Sequence, residues 1–211
     1  MIMPRYNIHQ VEIIQRGLDH PECFNFGQDG RPYAGGLSGQ VYVMTPPQFG
    51  LRQLGNTQGV NGGVAVDGNH NVYVCNPTRH SVLRVTQHGT VSLYCDRVQN
   101  GPTVWPNYGL FDARRNYYFC DSGFDYWKPS GRLIRVKPDG KSESLIGGNW
   151  HFANGLALSP KDGSIFMIEP GSSESSSILG RPHEASRWQH TCARLNPQNH
   201  AEESLGGLTF C

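Results

Sequence analysis

Residues 63–75 read GVAVDGNHNVYVC, and three further stretches of the chain follow the same pattern. They are ECFNFGQDGRPYAGG at 22–36, GLFDARRNYYFCDS at 109–122 and GLALSPKDGSIFMIEP at 155–170. Each is a short apolar strand, a polar turn and an aromatic-rich strand. Gly63, Gly109 and Gly155 stand 46 residues apart. A strand-built period of about 40–50 residues is the mark of propeller blades.

Working outward, each copy leads into two more strand-like runs. The first unit continues with QVYVM and LRQL, the second with SVLRVT and TVSLYC, the third with RLIRVK and ESLI. Asp29-Gly30, His88-Gly89 and Asp139-Gly140 punctuate them with residues that accept positive φ in tight turns. Four antiparallel strands per unit is blade architecture. The sequence therefore predicts an all-β propeller of four-stranded antiparallel blades over 21–170, with about three and a half blades encoded. Residues 1–20 hold one apolar stretch, VEIIQ at 11–15, suited to a terminal strand that closes a last blade.

From Gly171 onward the pattern stops. Residues 171–211 are rich in Ser, His, Arg and Asn and carry no Asp-Gly turn. The reading places them outside the propeller, as a disordered tail or an end read out of frame, with a short helix over 183–195 as a local alternative.

Bulk composition narrows the function classes. The chain has 211 residues, 26 of them glycine, which bounds it to one domain or a small pair. Eighteen Lys+Arg against 17 Asp+Glu leave a net charge of +1. That balance argues against electrostatic capture of nucleic acid or of an anionic membrane surface. No secretory leader and no apolar run of membrane-spanning length are visible. Cys75 and Cys120 fall at matching positions of two copies, where a small buried hydrophobe belongs. Free thiols in a cytoplasmic protein are the expectation, disulfides the alternative.

A propeller converges the starts of its innermost strands on one rim. Oxygen-bearing side chains stand there: Glu22, Asn61, Asn107 and Asn154. One carboxylate with carboxamide oxygens suits a hard divalent cation, which can polarise a carbonyl and acidify water. The competing reading is that Asn before Gly serves the turn. His20 and His151 could orient water, but packed or solvated histidines explain them too. Trp105, Tyr108, Tyr126 and Trp127 suit a pocket mouth or a blade core equally. His190 and Cys192 form an H-x-C pair too weak for a metal site. No G-x-S-x-G elbow or phosphate loop occurs.

Several motifs resemble the gluconolactonase, senescence-marker-protein and luciferin-regenerating-enzyme family. They are HPE at 20–22, WPNYGLFD at 105–112, YYFCDSG at 117–123, GRLIRVKPDG at 131–140 and HFANGLALSPKDG at 151–163. Strictosidine-synthase-like propellers share much of this pattern. The resemblance spans about 16–170 and implies a six-bladed propeller with one divalent cation on its axis. It implies hydrolysis of a small-molecule lactone or ester, with Glu22 and Asn154 as metal ligands and Asn107 against the substrate. Calcium leads among the cations, with zinc, magnesium and manganese as alternatives. The family's later-blade Asp, both ligand and acid/base, finds no match in 171–211, so the catalytic residue is unassigned. Better-known members carry Arg and Asp where this chain has Trp105 and Tyr108. Six units of this period need more residues than are present, so the resemblance describes an incomplete ring, inactive as a fragment or able to self-associate through an open blade edge. A non-catalytic propeller that binds a ligand or partner is the rival reading.

Overall fold

Apolar residues on consecutive positions, not only alternate ones, require a strand with both faces covered. In a computed structural model, VYVCN at 72–76 and YYFCD at 117–121 are such strands, buried at every position. The structure describes residues 8–99, 101–125, 128–169, 191–195 and 209–210.

The first sheet runs β1 (Phe24–Phe26), β2 (Pro32–Gly35), β3 (Gln40–Thr45) and β4 (Gly50–Asn56). The second runs β5 (Val64–Val66), β6 (Val72–Asn76), β7 (Ser81–Val85) and β8 (Val91–Cys95). A small hairpin, β9 (Arg97–Val98) and β10 (Gly101–Pro102), leads to the third sheet. That sheet is β11 (Pro106–Phe111), β12 (Tyr117–Asp121), β13 (Gly131–Val136) and β14 (Ser142–Trp150). The fourth is β15 (Leu156–Leu158), β16 (Ile165–Glu169), β17 (Thr191–Leu195) and β18 (Thr209–Phe210). All pairings are antiparallel between sequence neighbours.

The cores lie between blades. Tyr33, Val41 and Val43 of the first blade meet Val64, Val72 and Val74 of the second. Side chains of β12 alternate between two cores. Tyr117 and Phe119 join Ala65, Tyr73 and Val82, while Tyr118 and Cys120 join Leu156, Ile165 and Met167. Each such large side chain contributes about 1.5–3 kcal/mol on burial. The first strands touch in order, β1 with β5, β5 with β11 and β11 with β15, so they line the axis.

The expectation for the tail is corrected where the structure describes it. Thr191–Leu195 pairs residue for residue with Ile165–Glu169, and Ala193 and Arg194 pair with Phe210 and Thr209. The fourth blade is thus a full four-stranded sheet, and residues 191–195 are strand rather than helix. A second strand with a free edge recruits the next extended segment, whatever turn precedes it. The rest of 171–211 lies outside the described residues. At the other end, VEIIQ forms no strand; Val11, Ile13 and Ile14 are exposed. All four places in the fourth blade are already filled, so it offers no ladder to a closing strand. Among the described residues no helix is long and apolar enough to cross a membrane.

Candidate functional site

Ladder register decides which residues occupy equivalent stations. In the second blade, Gly62 N donates to Cys75 O and Cys75 N to Gly63 O, at 2.9 and 3.0 Å. In the fourth, Asn154 N donates to Ile168 O and Ile168 N to Gly155 O, at the same two distances. In the third, Tyr108 pairs with Cys120. In the first, Phe24 pairs with Ala34, which sets Cys23 opposite Gly35. One residue back from Cys23, Gly63, Tyr108 and Gly155 stand Glu22, Gly62, Asn107 and Asn154. The three expected site residues therefore share one station in three blades, at the start of the innermost strand.

Asn107 is there because of a bulge. Pro106 opposes Asp121 and Tyr108 opposes Cys120, leaving Asn107 as the extra residue. Bulges re-aim side chains and cluster near binding sites. Its Nδ2 donates to Ser122 Oγ at 3.0 Å, and fully buried Ser122 donates to Ala153 O at 2.7 Å. The amide group is thereby oriented, and its Oδ1 meets no hydrogen-bond donor among the described residues. Asn107 O accepts from Gly63 N at 2.5 Å. A Cβ on Gly62 would lie 2.6 Å from that carbonyl oxygen, so the second blade must leave this station bare.

The stations are coupled through backbone and thiols. Cys23 Sγ accepts from Val64 N at 3.5 Å. The Cys120 thiol donates to Tyr108 O at 3.4 Å and also to Asn154 O. Burial holds the Tyr108 phenol up to about 12, so it stays neutral. Asn107 and Asn154 are half-buried on neighbouring strands, whereas Glu22 is exposed on the first blade.

Asn61 is not a rim ligand. It is fully buried, its Oδ1 accepts from Thr57 Oγ1 at 2.5 Å, and its Nδ2 donates to Gln40 O at 3.0 Å. Asn-Gly in the sequence marked a blade junction, not a site.

Three buried groups escaped the sequence reading. Asp121, fully buried, accepts from Trp105 N at 2.6 Å and Val104 N at 3.1 Å, and pairs with Arg132 at 2.5 Å. Glu169, 4% exposed, accepts from His151 N. Ser122 completes the set. Their signal is the polar residue that closes the second strand in YYFCDS and IFMIE.

The donor set is one carboxylate and two carboxamides. All are oxygen donors of the kind hard cations take, and the described residues contain no cluster of three His, Cys, Asp or Glu. The donor class fits a hard divalent cation; the charge supplied is low.

Residues 38–175 match the SMP-30/Gluconolactonase/LRE-like region. Among solved structures, the chain is similar to a gluconolactonase from Xanthomonas campestris, with a TM-score of 0.70 and 17% identity. The match covers 94% of this chain and 63% of that one. It is also similar to virginiamycin B lyase from Staphylococcus aureus, at a TM-score of 0.63 and 12% identity, over 90% of this chain and 55% of that protein. The chain thus spans less than two thirds of either, and likeness at such identity concerns the fold. No curated protein matches the chain in sequence. With the family region covering well over half of its residues, the chain belongs to the SMP-30/gluconolactonase/LRE-like family.

Proposed function

We propose that this chain carries the lactone- or ester-hydrolysing site of a divalent-cation-dependent family member. The observation that carries the reading is the shared station of Glu22, Asn107 and Asn154. Glu22 and Asn154 are assigned to the cation, calcium first, with zinc, magnesium or manganese as substitutes. When bound, the cation would polarise a carbonyl and make water more acidic. Asn107, oriented by Ser122, would position the substrate carbonyl or the attacking water. No residue is assigned as acid/base. The substrate is a small molecule, and neither nucleic acid nor membrane is a partner in this reading. A cytoplasmic setting is part of it, supported by the free thiols of Cys23, Cys75, Cys95 and Cys120.

The test is calcium titration by calorimetry together with lactone hydrolysis. Saturable heat and calcium-dependent turnover, both lost in Glu22→Gln, are expected. Absence of cation binding to the wild-type chain ends this reading. One observation favours a second, that the propeller binds without catalysing: a single carboxylate stands among the three station residues. Ligand binding that is indifferent to calcium and to Glu22→Gln would select it.

A further inference from the structure

Two aromatic rings flank the shared station at the seam of the third and fourth blades. Trp105 lies two residues ahead of Asn107, and Phe152 two ahead of Asn154. Their centroids are 6.4 Å apart with planes at 48°. Trp105 is 43% exposed, so its indole is held against water rather than packed in a core. Phe124, two residues past Ser122, is also exposed, at 82%.

Both rings are fastened from behind. Asp121 accepts the amide hydrogen of Trp105 itself, and Ser122 N donates to Trp105 O at 2.9 Å. Glu169 accepts the amide hydrogen of His151, next to Phe152. Each buried carboxylate ends the second strand of its own blade and grips the loop that enters the first. Phe152 sits at φ +56°. A bulky L-residue there is an outlier, and such outliers cluster at active sites and ligand clamps. Arg132, which pairs with the carboxylate that holds the Trp105 amide, is committed to Asp121 and to Pro102 O. Trp105 and Phe152 therefore present ring faces at this lip.

From this lip we infer that the site selects lactones or esters bearing an aryl or alkyl substituent over polyhydroxylated sugar lactones. The inference rests on the hydrolase reading for the bond that is cleaved, but the selectivity is a binding property with its own measurement. Trp105 reports it directly. γ-Phenyl-γ-butyrolactone is expected to quench Trp fluorescence saturably, with a Kd about tenfold below that of glucono-1,5-lactone. Trp105→Ala removes the quench, and calorimetry of that variant gives equal Kd values for the two lactones. Phe152→Gly, which relieves the backbone outlier and so protects folding, keeps Trp105 and raises the Kd for the phenyl lactone alone. Equal or tighter binding of glucono-1,5-lactone overturns the inference, as does a preference that survives in both variants. Aryl binding without hydrolysis of any lactone ends the hydrolase reading and leaves the selectivity standing. Turnover of glucono-1,5-lactone with no aryl preference does the reverse.

Discussion

Asp67 and Asp112 close the first turn of their blades with the same four bonds. Asp67 Oδ1 accepts from Asn69 N and Asn71 N, both at 2.9 Å, and Oδ2 from Asn71 Nδ2 and Tyr73 Oη, at 2.8 and 3.2 Å. Asp112 repeats this with Arg114 N, Asn116 N, Asn116 Nδ2 and Tyr118 Oη, at 2.9, 2.8, 2.7 and 3.1 Å. The spacing Asp-x-x-x-Asn-x-Tyr is thus one device used twice, and the tyrosine ring carries it into the inter-blade core. Burial raises the Tyr73 phenol to about 12 and raises that of Tyr118, so both remain donors across the working pH range. Removing the carboxylate takes the acceptor from a carboxamide and from a tyrosine phenol at each turn. Asp112→Ala is expected to destabilise the chain by about 1–3 kcal/mol, read from the urea midpoint, with Asp67→Ala close to it. Asp139, exposed in its turn with Oδ1 accepting from Lys141 N at 3.0 Å, should cost less when replaced. Equal losses at all three positions would show that turn geometry, not the buried phenol, sets the effect.

Along the strands, what the sequence made legible follows from burial. β6 and β12 are buried throughout because two blades cover them, and apolar up to the polar residue that closes each; β2 and β3 are nearly as buried, and those runs read as strands without ambiguity. The glycine spacing was less faithful. Gly63 and Gly155 are equivalent in the ladder, but their counterpart in the third blade is Tyr108, one residue before Gly109. The pairing of Tyr108 with Cys120 fixes that offset, and glycine spacing carries no signal of it. For the same reason Asn61 looked like Asn107 and Asn154, although its side chain belongs to a buried network. Glu22, Asn107 and Asn154 stand out in the sequence by residue type and by their place ahead of an innermost strand; the ladder register adds that the three share one station. β17 escaped because Thr191–Leu195 has a strand-like pattern too short to stand out among polar neighbours. The bulge also yields a prediction. A Cβ on Gly63 would meet Tyr108 Cα at 2.6 Å, a backbone atom with nowhere to yield. Gly63→Ala should therefore shift β11 and cost about 1–3 kcal/mol. Amide exchange would show the loss concentrated at Asn107–Gly109. A variant with wild-type protection there would mean that the bulge does not depend on the bare station beside it.

At the scale of the whole molecule, the interior blades are covered on both faces, whereas among the described residues the end blades keep large apolar side chains exposed. Phe24 and Phe26 alternate with Asn25 on β1, 62% and 56% exposed, their rings edge to face with centroids 5.7 Å apart. Cys23 and the strands behind it meet the second blade, so these two phenylalanines look the other way. On the fourth blade Met167 is buried toward the third, whereas Ile168, next along the strand, is 49% exposed. Blade faces of opposite hand complement one another, since that is how the inner blades already pack. An exposed aromatic pair on a sheet face is an association site in a monomer. The isolated chain is expected to associate with rising concentration, seen as an increase in weight-average mass by sedimentation. Phe24→Ser with Phe26→Ser should return it to the monomer mass while the thermal transition stays near that of the wild type, because neither ring is in an inter-blade core. A chain that stays monomeric up to high concentration, or a double variant that still associates, would place the contact elsewhere and leave the first blade's outer face without a role in assembly.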